Sequence, residues 1–202
     1  MTTPRDLLIV TLDVAPIRPL ERGDLSLALA GAELIDLLGA EALGLEEDRI
    51  VPRLSPATGD RMLDEAASSL QRQPPYEPVG DWLWRRGRDL TPAYLDALEA
   101  AGQVTRRRHG WLPVRPGQAV PVDSPARRHA TDRWSSDEPV LASLAAAIGV
   151  REEPTGDVAD GVADEAVVTV LATVNDAVME LEAVRQRRAI EQAAYDNVWR
   201  GE

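Results

Sequence analysis

The sequence predicts a mainly α, single-domain protein carrying small β-hairpins. Three observations lead there. A chain of 202 residues holds one well-filled core and is short for two. Apolar residues return at spacings of three and four in several segments, each preceded by a hydroxyl, carboxylate or proline of the kind that starts a helix. Between two of those segments, "QVTRRR", a polar turn at His109 and Gly110, and "WLPVR" read as two short strands.

In chain order, Thr3, Pro4 and Asp6 supply a capping hydroxyl, a proline at the first helical position and an acid in the first turn, so a helix runs through about Leu12. After "VAPIRPLERG", Asp24 is placed to cap a helix whose stripe is Leu27, Ala28, Gly31, Leu34, Ile35 and Leu38, with Gly44 as its stop. "DRIVPRL" is β-prone, and Pro52 confines it to an edge or a strand end. In "TGDRMLDEAASSL", Leu63, Ala66, Ala67 and Leu70 share one face of an amphipathic helix with an acidic outer side. "QPPYEP" stops that helix, and "VGDWLWRRG" makes one or two turns on which Trp82 and Trp84 face different ways.

Thr91 and Pro92 start the next helix, which keeps Leu95 and Leu98 inward and ends at Gly102, just before the hairpin. Ser124 and Pro125 then start "PARRHATDRW", Asp137 caps "EPVLASLAAAIG", and "VREEPTGDVADG" is an acidic loop. In the longest element, at the end, Val167, Leu171, Val174, Val178 and Leu181 leave a seam for other helices to cover, as in a helix near the middle of the fold. The pattern fades after Val184, too soon for a dimeric coiled coil.

Composition excludes much chemistry. Without cysteine there are no disulfides, thiol nucleophiles or thiolate metal sites, which fits a reducing, cytoplasmic interior. All 22 basic residues are arginine, so a phosphate-loop lysine and a Schiff base are ruled out; neither a dinucleotide glycine fingerprint nor a serine elbow is present. The two histidines, His109 and His129, are not at metal-ligand spacing and read as surface groups beside arginines. "LDEAA" and "DVADGVADEA" read as solvated acidic faces. No catalytic residue, cofactor or metal is expected. The apolar run in "MTTPRDLLIVTLDVAP" is short for a signal peptide, and no stretch is long enough to span a bilayer, so any membrane contact is expected to be peripheral.

Charge is unevenly placed. The chain carries −12, yet from Asp81 to Ser135 ten arginines face six carboxylates, a local +4. Such a patch suits docking on one anionic surface better than wrapping nucleic acid. Arg106, Arg107, Arg108, Arg127, Arg128 and Arg133 are its candidates. Alternation along a strand turns Arg107 away from Arg106 and Arg108. Arg127 and Arg128 stand in the first turn of a helix, where free backbone donors already favour an anion.

The stretch "PATGDRMLDEAASSLQRQPPYEPVGDWLWR" resembles the Golgi phosphoprotein 3 family in its Thr-Gly-Asp turn, Leu-Asp-Glu-Ala helix, Pro-Pro break and Asp-Trp pair. "LAGAELIDLL", "VPVDSPARRHATDRW" and "VLASLAAAIGV" extend the likeness over about residues 3 to 200. The resemblance implies one domain over 1–202, a central helical bundle ringed by amphipathic helices with small β-hairpins. It also implies a non-catalytic peripheral membrane adaptor that binds phosphatidylinositol 4-phosphate or another anionic phospholipid and holds a membrane-enzyme client. The family's pocket Trp and Arg fall on Glu21 and Ala30, neither of which keeps the family residue, so the headgroup is expected on Arg127 and Arg128 with Arg22 and Arg18 as substitutes. Arg106, Arg108 and His109 would form a membrane-facing hairpin. "DEPVLASLAAA" matches a region of oligomer contacts, implying a homo-oligomer, and the all-arginine usage with no long basic leader suggests a bacterial homologue. The helix-then-hairpin pattern by itself suggests an alternative, a winged-helix-like nucleic-acid-binding protein with an arginine-tipped wing. The acidity of the neighbouring helices opposes it, and no nucleic-acid partner is expected.

Overall fold

A computed structural model describes residues 2–54, 56–107, 118–152, 162 and 164–200. Among these, eight α-helices and two two-stranded antiparallel hairpins build one domain without a barrel or an extended sheet. The predicted class and bundle architecture are those observed.

Helix α1 (Thr3–Asp13) begins as expected, but its cap is not local: Thr2 holds the cap position without a side-chain bond, and the Thr3 N–H donates to Asp36 Oδ2 at 2.7 Å. Helix α2 (Arg22–Gly39) starts before Asp24, which is buried and bonded by Arg185 at 2.8–2.9 Å instead of capping. It ends at Gly39. Gly44, expected as its stop, belongs to β1 (Leu43–Glu46), a strand the sequence reading missed because alanine and leucine continue the helical pattern to that point. Strand β1 pairs with β2 (Arg49–Pro52) through a turn in which Glu47 takes a φ of 56°, and Pro52 closes the strand as foreseen.

Asp60 caps α3 (Arg61–Ser68) through the N–H groups of Met62 and Leu63. Helix α4 (Val79–Arg86) buries Trp82 and exposes much of Trp84, the opposed orientation predicted. Helix α5 (Leu90–Ala100) buries Tyr94 and Leu98, with Leu95 only partly covered. Its Thr91 is not a cap but a buried partner of Ser26 on α2. Strand β3 (Val104–Arg107) pairs with β4 (Gln118–Pro121), Val104 facing Pro121 and Arg107 facing Gln118. The strand that pairs with β3 is "QAVP"; residues 108–117, which hold the expected turn and "WLPVR", lie outside the described residues.

Helix α6 (Pro125–Ser135) is capped by Ser124 as predicted. Helix α7 (Pro139–Ala147) takes its cap from Glu138, while the expected cap, Asp137, adopts a φ of 51°. Helix α8 (Glu165–Arg200) is the longest.

Helix α2 forms the axis, with Leu27, Leu29, Leu34 and Leu37 buried in the core. Helix α8, expected near the middle, instead covers one side: Val167, Leu171, Val174 and Val178 bury against its neighbours, and residues 186–193 are exposed. Two α2 glycines set that contact, since a Cβ on Gly31 would stand 2.3 Å from Val174 and one on Gly23 would stand 2.8 Å from Leu181. Only a residue without Cβ lets the helices approach so closely.

The directions follow from these contacts. Thr3 meets Asp36, so α1 runs antiparallel to α2; Arg133 meets Asp6 and Arg127 meets Asp13, so α6 runs antiparallel to α1. The N-H groups of Ile17 and Arg18 both donate to Gly149 O, fixing the loop after α1 to the C-terminal end of α7.

Candidate functional site

Those directions gather the C-terminal ends of α1 and α7 and the N-terminal ends of α2 and α6 at one end of the bundle. Arg18, Arg22, Arg127 and Arg128 all stand there. The sequence named these four; the antiparallel packing brings them to one end.

Their guanidinium groups are differently engaged. Arg127 forks onto Asp13, Nε to Oδ2 at 2.7 Å and Nη2 to Oδ1 at 2.8 Å. The Asp13 hydrogen bonds and charge push this guanidinium above its ordinary pKa. Arg128 pairs with Asp123 at 2.8 Å, with both side chains largely in solvent. Arg18 reaches Glu182 with Nη1 at 3.0 Å and the Ala147 carbonyl with Nη2 at 2.7 Å. It lies across Gly149, whose φ of 76° and missing Cβ leave the necessary room. Arg22 is exposed; its carbonyl accepts the Thr91 hydroxyl, and its side chain has no partner among the described residues.

The remaining named residues are placed elsewhere. Glu21 is exposed at the cap position of α2, whereas Ala30 is fully buried beneath Trp82, whose indole N–H donates to its carbonyl at 3.4 Å. Arg106 is bound to α5 through Glu99 at 2.8 Å and Asp96 at 3.0 Å, so this hairpin cation is neutralised by its own neighbour helix. Arg108 and His109 lie outside the described residues. Arg133 is not a surface cation: it bridges buried Asp6 at 2.8 Å and Glu138 at 2.6 Å. His129 Nδ1 stands 3.1 Å from the same Asp6 carboxylate and so faces a carboxylate as well as arginines.

Sequence reasoning missed the carboxylates that hold this end, Asp13, Asp123 and Glu182. Asp123 was within reach of a local search, being five residues from Arg128; Asp13 and Glu182 are separated from their partners by 114 and 164 residues.

A family model described as Golgi phosphoprotein 3 (GPP34) matches residues 4–193. The chain belongs to the Golgi phosphoprotein 3 family. No match was found among curated proteins. Family membership supports a general role as a peripheral, non-catalytic adaptor with a membrane-associated partner. Among the described residues, no helix of this Golgi phosphoprotein 3 family protein is long and apolar enough to cross a membrane, and no group of three or more His, Asp or Glu is placed to hold a metal ion.

Proposed function

We propose that this family member docks peripherally on an anionic phospholipid, phosphatidylinositol 4-phosphate or a headgroup of similar charge, through the bundle end carrying Arg18, Arg22, Arg127 and Arg128, and that it holds a membrane-enzyme client there. The observation that supports this reading is that four arginines, from one loop and two helix starts, lie at one end of an otherwise acidic molecule. Arg22 offers a guanidinium with no partner among the described residues. The Arg127–Asp13 and Arg128–Asp123 pairs are exposed, and such pairs are held weakly enough to be exchanged for a phosphate with its higher charge and three acceptor oxygens. Binding therefore falls as salt rises.

Co-sedimentation with liposomes containing increasing fractions of phosphatidylinositol 4-phosphate, phosphatidylinositol or cardiolipin tests the proposal. The wild type pellets in proportion to anionic lipid, and Arg22→Ala combined with Arg127→Ala and Arg128→Ala stays in the supernatant. Equal pelleting of both proteins overturns the site, and no pelleting of the wild type on any of the three lipids overturns the function.

A further inference from the structure

On the side of the molecule beyond the C-terminal end of α2, a cavity of about 250 Å³ opens between α3 and described residues of the segment after β2. Its floor is apolar: Ala42 and Leu70 are buried, Ala67 is partly buried, and Pro52 closes one edge. Leu54 stands at the rim with its side chain almost wholly in water, 98% exposed. A leucine so placed beside a concave apolar floor lies open to contact with a ligand's apolar part.

The polar part of the wall is divided. Asp64 is satisfied internally, its Oδ1 accepting the Thr58 N–H at 2.7 Å and hydroxyl at 2.8 Å, and the Ser68 hydroxyl donates to the Glu65 carbonyl. Arg53 and Arg72 differ: both line the cavity, and neither side chain has a partner among the described residues. Arg53 and Arg72 thus line one cavity without a carboxylate partner among the described residues, which leaves both free to meet an anion. Arg53 is also positioned. A Cβ on Gly44 would stand 2.5 Å from its Nη2 and 3.0 Å from Cζ, so the guanidinium rests against strand β1 in space that only glycine leaves.

We propose that this cavity binds a small anionic amphiphile, with an anionic oxygen head on Arg53 and Arg72 and a short apolar tail against Leu54 and the floor. The volume lies below the roughly 300–1,000 Å³ of drug-sized sites, which limits the tail to a medium chain. A fork of guanidinium donors matches carboxylate and phosphate heads alike. The site is distinct from the arginine end and stands or falls without it.

Isothermal titration calorimetry on the full chain, with octanoate, octyl phosphate, neutral octanamide and inorganic phosphate as probes, tests it. Octanoate or octyl phosphate binds with one-to-one stoichiometry, and octanamide and inorganic phosphate bind at least tenfold more weakly. Arg53→Ala with Arg72→Ala loses at least tenfold in affinity. Gly44→Ala, whose methyl group displaces the Arg53 guanidinium while leaving its charge, loses several-fold. The proposal is overturned if neither anionic amphiphile binds, if octanamide binds as tightly as octanoate, or if the double variant binds as tightly as the wild type. Whether the head is a carboxylate or a phosphate is read from which of the two anionic probes binds more tightly.

Discussion

Two forked arginine–carboxylate pairs in this molecule have nearly the same geometry and opposite surroundings. Arg86 meets Glu33 with Nε–Oε2 at 2.8 Å and Nη2–Oε1 at 2.9 Å; Arg127 meets Asp13 at 2.7 and 2.8 Å. The difference is water. Glu33 is fully buried on α2, also accepts the Tyr94 hydroxyl at 3.0 Å, and its partner's side chain is 12% exposed. In the second pair, Arg127 is 39% exposed and Asp13 22%. Burial makes the first a fastener joining α2, α4 and α5, because a lost partner leaves a charge in the core. Hydration makes the second replaceable, as the proposed docking end requires.

The comparison predicts three results in descending size. Arg86→Ala leaves Glu33 buried without its counter-charge and costs about 3 to 5 kcal/mol of unfolding free energy in urea titration. A loss well under 1 kcal/mol would mean that the core reorganises around the carboxylate and that burial does not distinguish the pairs.

The second result is a pH dependence. Burial raises the Glu33 carboxyl above its ordinary value of 4.5, against the pull of Arg86 and Tyr94. Between that value and the raised one, the folded protein keeps a proton that the unfolded chain has released, so stability from this group is full below about pH 4.5 and declines as pH rises through the folded value. Glu33→Gln removes the titration. Wild-type stability relative to Glu33→Gln therefore falls as pH rises above 4.5, seen as a pH-dependent difference between their melting temperatures; a difference independent of pH would show that Glu33 is ionised throughout. Burial raises Asp36 in the same direction, so the variant pair, rather than the wild type alone, isolates Glu33.

The smallest effect belongs to the exposed pair. Arg127→Ala leaves the melting temperature within measurement error of wild type at moderate salt, while lowering liposome binding. A clear drop in melting temperature would make Arg127 a structural residue and sharpen the case for Arg22.

The end of the bundle and the cavity near α3 extend this contrast. Arg18, Arg127 and Arg128 are tied by acids, whereas among the described residues Arg53 and Arg72 have no such partner. One region could bind a phosphate by exchanging partners; the other presents its donors ready.

The sequence alone determined what short-range rules govern. Ser124 and Pro125 start α6, Leu63 and Ala66 face inward on α3, and Val167 to Val178 form the α8 seam, since helical spacing and caps involve residues within a turn or two. It also named the four arginines of the candidate end. Their shared location, and the acids that hold them, came from tertiary structure: Asp36 replaces Thr3 as the cap of α1, Asp24 is drawn from capping to Arg185, and Asp13 and Glu182 take up Arg127 and Arg18. Strand β1 likewise depends on a partner strand and not on its own four residues. Helix-forming interactions are written within a few residues, whereas ion pairs are fixed by the packing directions of whole helices, and those directions follow from features such as the Gly31–Val174 approach that no local pattern reveals.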